Sequence, residues 1–166
     1  MSGAVTTTPD MALSPRLPGR KAEYWQHSGV QRLDLASFRP AAMAPAVSVD
    51  ALPAAHAAPA PRIVLVNGRF NAALSALDGL PAGVAVRSLA AALVSDGAGL
   101  ARRLGSLARA EASPFVALAE AGLDDGVVID IADGVRLGTP ISIVSLGREA
   151  DGPIVFHPRL LVRLGR

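Results

Sequence analysis

The chain has 166 residues, the length of one domain with or without a tail. It has no cysteine, and this excludes a disulfide framework, a thiolate zinc site and a cysteine-ligated iron–sulfur cluster on the chain. Alanine makes up much of its 51% hydrophobic content. No stretch approaches the roughly 20 apolar residues of a membrane helix, and the N-terminus lacks the apolar core of a secretory signal. We therefore expect a cytoplasmic protein with no membrane partner. The net charge is only +2 and the arginines are spread along the chain, so no basic patch for nucleic acid is expected.

The first part of the chain is predicted to be a mixed helical region over 16–122. It is preceded by residues 1–15, whose small, polar and proline-interrupted sequence is typical of a disordered terminus. A proline near the start and a glycine after the end predict a short helix over about 19–27. Residues 40–61 are rich in alanine and proline, which predicts an extended linker.

Regular structure is predicted to begin at Arg62. The apolar run 63–66 predicts a strand, and Asn67 with Gly68 forms the strongest two-residue hairpin signal. Residues 69–74 are expected to return as the partner strand or as an irregular edge. A further strand is predicted over 83–86.

Three further helical segments are predicted between the strand over 83–86 and residue 123. The first is capped by Ser88 and ends near Val94, because Asp96 and two glycines interrupt it. The second has four residues at helical spacing, namely Leu100, Arg103, Leu104 and Leu107. The third begins after Ser113, a capping residue followed by proline at the first helical position, and runs to Gly122.

The remaining segment, 123–166, changes to short strands separated by turn residues. Strands are predicted over 127–131, 135–137 and 141–144. The alternation of residues 160–164 predicts a half-buried strand. Short strands with glycine corners are typical of a sandwich or a β-helix.

No catalytic, cofactor-binding or metal-binding residue is predicted. The histidines His27, His56 and His157 lie in different segments, without an acid or a second histidine at the spacing of metal ligands. The sequence has neither a GxxxxGK(S/T) phosphate loop nor a GxSxG nucleophile motif. His157 precedes a proline, which fits a bend between strands.

Two other groups of polar residues have plain structural interpretations. The acids Asp124, Asp125, Asp130 and Asp133 are interpreted as corner residues between short strands. The bases Arg16, Arg20 and Lys21 lie beside Tyr24 and Trp25, a composition found in binding hot spots. The alternative is that the two aromatic residues fill a small N-terminal core while the bases are solvated, and we favour it for Trp25.

Separate segments of the sequence resemble one family. The run LPGRKAEYW at 17–25 is similar to the LP-x-R-x-x-E-x-W opening of SufD-like proteins, which belong to the SufB/SufD family of iron–sulfur cluster assembly. The run VNGRF at 66–70 and the later run LPAGV at 80–84 also match that family, as does HPR at 157–159. Order and spacing agree over about 16–166. The departures are QHS after the tryptophan and Ala119 where the family usually has asparagine.

The resemblance implies an α+β fold, in which an N-terminal mixed helical region leads into the first rungs of a right-handed parallel β-helix. It implies pairing with a SufB-type homologue through the β-helix and with the ATPase SufC through a C-terminal part. This chain would be an N-terminal portion of a non-enzymatic scaffold component that binds no cofactor itself, the iron–sulfur cluster being reached through the complex. A β-helix truncated at 166 leaves an open end at Val155, Leu160, Val162 and Leu164. We therefore expect marginal stability or self-association.

A hexapeptide-repeat acyltransferase is the alternative from the enzyme class. Ile131, Leu137 and Ile143 lie six residues apart, which resembles the repeat of left-handed β-helix acyltransferases. The register fails near Leu146, so further repeats downstream and a catalytic histidine in a cleft between subunits would be required. A partner-binding domain without activity is a third alternative.

Overall fold

A computed structural model describes residues 17–19, 21–43, 47–52, 61–108, 110–148 and 152–166. The predicted disordered terminus and much of the predicted linker lie outside these residues, as do Arg16, Arg20 and His56. The strands and helices of the described residues are, in chain order, β1 (Arg39–Pro40), β2 (Arg62–Val66), β3 (Arg69–Phe70), β4 (Val84–Ser88), α1 (Leu89–Arg103), α2 (Pro114–Ala121), β5 (Gly126–Ile131), β6 (Ser142–Leu146), β7 (Ile154–Val155) and β8 (Arg159–Leu164).

The described strands form three small sheets. In the β2 sheet, β2 pairs antiparallel with β3 and parallel with β6. In the β5 sheet, β5 pairs antiparallel with β4 and parallel with β8. β1 and β7 form a short parallel pair. A Cβ atom on Gly126 would meet the carbonyl oxygen of its partner Arg159, so glycine at the start of β5 permits the close approach of β8.

From β5 onward the chain passes through all three sheets and returns to the first. β5 lies in the β5 sheet, β6 in the β2 sheet and β7 in the β1–β7 pair, and β8 then pairs with β5. Arg159 consequently pairs with Gly126, 33 residues earlier in the chain. The right-handed β-helix stays a prediction.

Aliphatic side chains fill the space between the β2 sheet and the β5 sheet. Ile63 of β2 packs with Val127 and Ile129 of β5, and all three are buried. The second buried cluster consists of Leu52, Val64, Val66, Leu74 and Val144. β2 is therefore buried on both faces, which explains its continuous apolar sequence. Complete burial of such a side chain stabilises the fold by about 1.5–3 kcal/mol.

The predicted hairpin after the first long strand is confirmed. Asn67 and Gly68 both have positive φ, 49° and 81°, as a type I′ turn requires. The Asn67 amide side chain also supports a neighbouring strand end, because its Oδ1 accepts a 2.7 Å hydrogen bond from the Arg148 backbone N–H. The turn thereby joins the β2–β3 hairpin to the residues that follow β6.

The predicted helix starts at Ser88 and Ser113 are confirmed, but the helical segment that contains Leu100 is shorter than predicted. The Ser88 side chain accepts from the Ala91 N–H and caps α1, whose backbone is kinked at Asp96 (φ −141°, ψ 48°). After the kink the helix ends at Arg103, and Leu107 is 99% exposed beyond it. Leu107 was wrongly predicted to lie on that helix, because the helical spacing continues past the point where Gly105 takes a positive φ.

α1 packs on the face of β5 that points away from the β2 sheet. Leu89, Ala92 and Leu100 are buried there against Val128, and Leu161 of β8 packs beside them. The third predicted helix is also confirmed, since Ser113 accepts from the Phe115 N–H and α2 ends before Gly122. The β5 sheet is thus covered on one face by α1 and on the other by the β2 sheet.

Two predicted elements were wrong. In place of a helix over 19–27, residues Glu23–Trp25 form a single 3₁₀ turn. The Ser28 hydroxyl donates a 2.7 Å hydrogen bond to the Trp25 carbonyl, a side-chain bond that competes with helix continuation. Residues 135–137 form no strand either. They follow a turn in which Gly134 has φ 70° and the Val135 N–H donates to the Ala132 carbonyl.

The six-residue spacing in this part of the sequence does not correspond to a repeated structural unit. Each unit of such a repeat would place a buried aliphatic residue on a strand, but Leu137 lies in no strand and Ile143 is 41% exposed. The described residues therefore give the hexapeptide alternative no structural support.

Two arginines share one aspartate across the β5 sheet. Asp130 of β5 accepts hydrogen bonds from Nη2 of Arg163 of β8 at 2.6 Å and from Nη2 of Arg87 of β4 at 2.9 Å. The Arg163 hydrogen bond is the main cause that lowers the pKa of Asp130; the hydrogen bond from Arg87 lowers it further, whereas burial opposes both. Asp130 is therefore a cross-strand partner, and the prediction that it is a corner residue was wrong.

β8 lies at the edge of the β5 sheet and presents an apolar row. The predicted alternation is confirmed: Leu161 and Arg163 face inward, while Leu160, Val162 and Leu164 are 51%, 45% and 73% exposed. A strand edge with exposed aliphatic side chains can pair with another strand.

Within the described residues, no helix is long and apolar enough to span a bilayer.

Candidate functional site

A cleft of about 250 Å³ lies where three separated segments of the chain meet. Its walls are the turn 67–69, the segment 122–125 that leads from α2 into β5, and residues 155–157 between β7 and β8. Pro40 and Ala41 close one side. At each wall the chain connects one strand or helix to the next, so the cleft is formed by connecting segments that the adjoining sheets hold in place.

The Asp125 carboxylate fixes these walls relative to one another. The side chain is buried, and its Oδ2 accepts a 3.0 Å hydrogen bond from the Phe70 N–H of β3. Its Oδ1 accepts from the Ser88 hydroxyl and from the Ala90 N–H, both at 2.9 Å. The last two donors belong to the start of α1, where the helix dipole favours a negative charge. Asp125 therefore links β3, α1 and β5, a role that the corner interpretation missed.

Arg69 and Asp124 form an ion pair at the mouth of the cleft. The Arg69 Nη2 and Asp124 Oδ2 atoms are 2.5 Å apart, and the Asp124 side chain is about half exposed. An ion pair open to water contributes little to stability, of the order of 0–1 kcal/mol. The pair therefore shapes the charge of the cleft more than it holds the fold together.

His157 lies between the cleft and a second, apolar cavity. Its ring packs so closely on the backbone that a Cβ on Gly122 would contact the imidazole. Burial is the main cause that lowers the pKa of His157, and the positive charge of Arg159 lowers it further. His157 is therefore neutral near pH 7, and its position between β7 and β8 confirms the predicted bend.

The second cavity, of about 170 Å³, lies between the N-terminal segment and α2. Its lining consists of Leu33, Leu35, Phe38, Phe115, Leu118, Val155 and His157. Trp25 packs on the ring of Phe115, with centroids 5.5 Å apart, which fits the packed role favoured for Trp25. Tyr24, for which the sequence left both alternatives open, is 96% exposed and does not share this packing.

The other residues singled out by the sequence do not assemble into a site. His27 and Lys21 are exposed and distant in sequence from the cleft, while His56, Arg16 and Arg20 lie outside the described residues. In the part of the chain that the structure describes, no group of three histidine, cysteine or acidic side chains is placed to hold a metal ion. Asp133 does lie at the expected corner, in the turn where Gly134 has φ 70°, and its Oδ1 also accepts from the Arg166 N–H.

The cleft is lined by the same segments that carry the family resemblance. Asn67 and Arg69 come from the VNGRF run, and His157 begins the HPR run. The sequence matches the family described as SufBD protein N-terminal region over residues 14–143. The chain belongs to this family. The predicted resemblance to the SufB/SufD family is thereby confirmed for its N-terminal portion.

A curated SufBD relative gives the scale of the match. The chain is 31% identical over 160 residues to the iron-sulfur cluster assembly SufBD family protein of Synechocystis sp., and the match covers 92% of this chain. It covers 34% of that relative, so the chain spans about a third of the length of the curated SufBD protein it matches.

We predict that Asp125→Asn lowers the free energy of unfolding by about 2–3 kcal/mol, because an amide can no longer accept three hydrogen bonds with a full negative charge. Urea unfolding at pH 7 measures the loss. Asp78→Asn, at an exposed turn position, is the matched control and should stay within about 0.5 kcal/mol of the wild type. Equal effects at the two positions would contradict the linking role of Asp125.

We predict that the chain loses stability as the pH falls below about 6.5, because the unfolded state then binds a proton that the folded His157 takes up only at lower pH. The loss is at most about 1.4 kcal/mol per pH unit. Urea unfolding at pH 7.5 and 5.5 measures it. His157→Gln should flatten this dependence, whereas His27→Gln, at an exposed position, should retain it. An unchanged slope in His157→Gln would refute the assignment.

Proposed function

We propose that this chain is the N-terminal portion of a SufD-like scaffold in SUF-type iron–sulfur cluster assembly. The observation that carries the proposal is the family match over residues 14–143. In this proposal the chain acts in the cytoplasm, within a SufBCD-type complex that contains a SufB-type homologue and a SufC-type ATPase. The cluster is the cargo of that complex, and this chain supplies no ligand to it.

The strand order supports a role as the entry to a β-helix. β1, β2 and β5 each have a parallel partner later in the chain, and the path from β5 to β8 passes through all three sheets. Stacked parallel strands on successive passes are the arrangement that a parallel β-helix requires. The right-handed sense of that helix belongs to the proposal.

The use of charged side chains in the described residues supports a scaffold rather than an enzyme. Asp125 is occupied by three donors that belong to separate elements. Asp130 is occupied by two arginines of neighbouring strands. These carboxylates hold elements together, and an acid committed in this way is unavailable for proton transfer to a substrate.

The edge strand β8 supports a contact with a further strand. Leu160, Val162 and Leu164 form a row of exposed aliphatic side chains on it. We propose that this edge mediates self-association of the 166-residue chain, because an open strand edge offers unpaired backbone groups beside apolar surface.

We predict that the chain runs above its monomer mass of 16.9 kDa in size-exclusion chromatography with light scattering, increasingly so at higher concentration. Val162→Lys should shift it toward the monomer, since a charge on an edge strand opposes pairing. Val94→Lys, at an exposed apolar position on α1, should leave the mass unchanged. A wild-type chain that is monomeric and unfolds in one sharp transition would contradict the proposed open edge.

Co-purification tests the assembly role directly. We expect a tagged version of the chain, extended to full family length, to retain a co-expressed SufB-type homologue and a SufC-type ATPase. The 166-residue chain should lose the ATPase, which the family binds through its C-terminal part. If the extended version retains neither protein, the proposed function is wrong.

A further inference from the structure

The outer edge of β8 carries backbone groups that no described strand uses. The N–H groups of Arg159 and Gly165 donate to carbonyls beside and within β5, so these odd-numbered residues turn their backbone toward β5. Because successive residues of a strand turn their N–H and C=O groups to opposite sides, Leu160, Val162 and Leu164 turn theirs away from β5. β8 is an edge strand of its sheet among the described residues, so these groups lie at an open edge.

The same three residues form the apolar row of β8. Val127, Ile129 and Ile131 of β5 pair with them across the parallel ladder, and the side chains of paired residues share one face of a sheet. On that face Val127 and Ile129 are buried against Ile63 of the β2 sheet, whereas the apolar row is exposed. Free backbone groups and uncovered aliphatic side chains therefore coincide in the same residues.

We propose that β8 pairs with β8 of a second copy of this chain, antiparallel about a two-fold axis at Val162. This pairing rests on the self-association proposed above and specifies its strand and register. A two-fold axis brings the same patch of both copies together, so the edge must complement itself. The apolar row meets this condition, because antiparallel pairing sets its aliphatic residues opposite one another.

The backbone restricts the possible registers. In an antiparallel pair, two opposite residues that turn their backbone groups toward each other exchange two hydrogen bonds. Members of the apolar row must therefore lie opposite members of the same row, because the residues between them bond to β5. With Val162 opposite its own copy, Leu160 lies opposite Leu164, so every member of the row is hydrogen-bonded. The row then also stays on one face of the joined sheet.

Charge disfavours the neighbouring registers that retain this hydrogen bonding. Centring the pair on Leu161 sets Arg159 opposite Arg163 of the second copy, and centring it on Arg163 sets that arginine opposite its own copy. Like charges directly opposite each other destabilise an antiparallel pair. Centring on Val162 sets Arg163 opposite Leu161, so no two arginines of the paired strands face each other. Hydrogen bonding, the apolar row and charge thus agree on one register.

Single cysteines report this register, because the chain has no cysteine of its own. The Cα atoms of a hydrogen-bonded antiparallel pair lie about 5.5 Å apart, within the span of a disulfide. With copper phenanthroline as oxidant, we expect Val162→Cys to cross-link about tenfold or more faster than a control, because pairing raises the effective concentration of its two thiols. The control is Val94→Cys, at an exposed position on α1. Non-reducing electrophoresis of the 166-residue chain measures both rates.

A second pair of variants tests the register without a change at Val162. Leu160→Cys and Leu164→Cys should each cross-link no faster than the Val94→Cys control, because the two thiols then lie at opposite ends of the paired strands. Mixed in equal amounts, the two variants should cross-link to each other at a rate comparable to Val162→Cys. Circular dichroism establishes that each variant is folded.

Two results would overturn the proposed register. One is a wild-type chain that stays monomeric in light scattering at every concentration, which would overturn the proposed self-association as well. The other is a chain that associates while Val162→Cys cross-links no faster than Val94→Cys, or while Leu160→Cys cross-links rapidly by itself. That result refutes the β8 pairing alone. Should Val162→Cys fail to fold, the mixture of the other two variants decides.

Discussion

The arrangement of this chain depends on one buried carboxylate. Asp125 accepts hydrogen bonds from the Phe70 backbone, the Ser88 hydroxyl and the Ala90 backbone, so one side chain sets the position of β3 and of the α1 start against β5. Two of its three donors belong to a helix N-terminus, whose unpaired N–H groups need acceptors. The position of the β2–β3 hairpin against β5, the cleft beside it and the placement of the α1 start depend on where this carboxylate is held.

The residues of the VNGRF run have separate physical tasks around that carboxylate. Asn67 and Gly68 take the positive φ values of the turn, and Gly68 packs closely on Phe156. Arg69 pairs with Asp124, while Phe70 donates to Asp125 and packs between the sheets. The similarity of this run to the SufB/SufD family therefore has an architectural basis, since each residue closes the junction between the two main sheets.

Local signals were enough to predict the hairpin and the helix starts, because Asn67, Gly68, Ser88 and Ser113 act on backbone within three residues of themselves. The site was different. The partners of Asp125 lie 35 to 55 residues away, and a sequence pattern carries no record of such a contact. Residues 135–137 show the same dependence on distant contacts. Their composition favours a strand, but they pair with no other strand and instead follow a tight turn.

The pairing of β2 also determines when this protein can fold. Arg62 pairs with Ser142, 80 positions later in the chain, and contacts so distant in sequence make folding slow. At synthesis rates of about 5–20 residues per second, β2 waits roughly 4 to 16 seconds on the ribosome for β6. During that interval a strand that is later buried on both faces has only its short hairpin partner β3. The most apolar strand of the β2 sheet is thus the part of the nascent chain most in need of protection from aggregation.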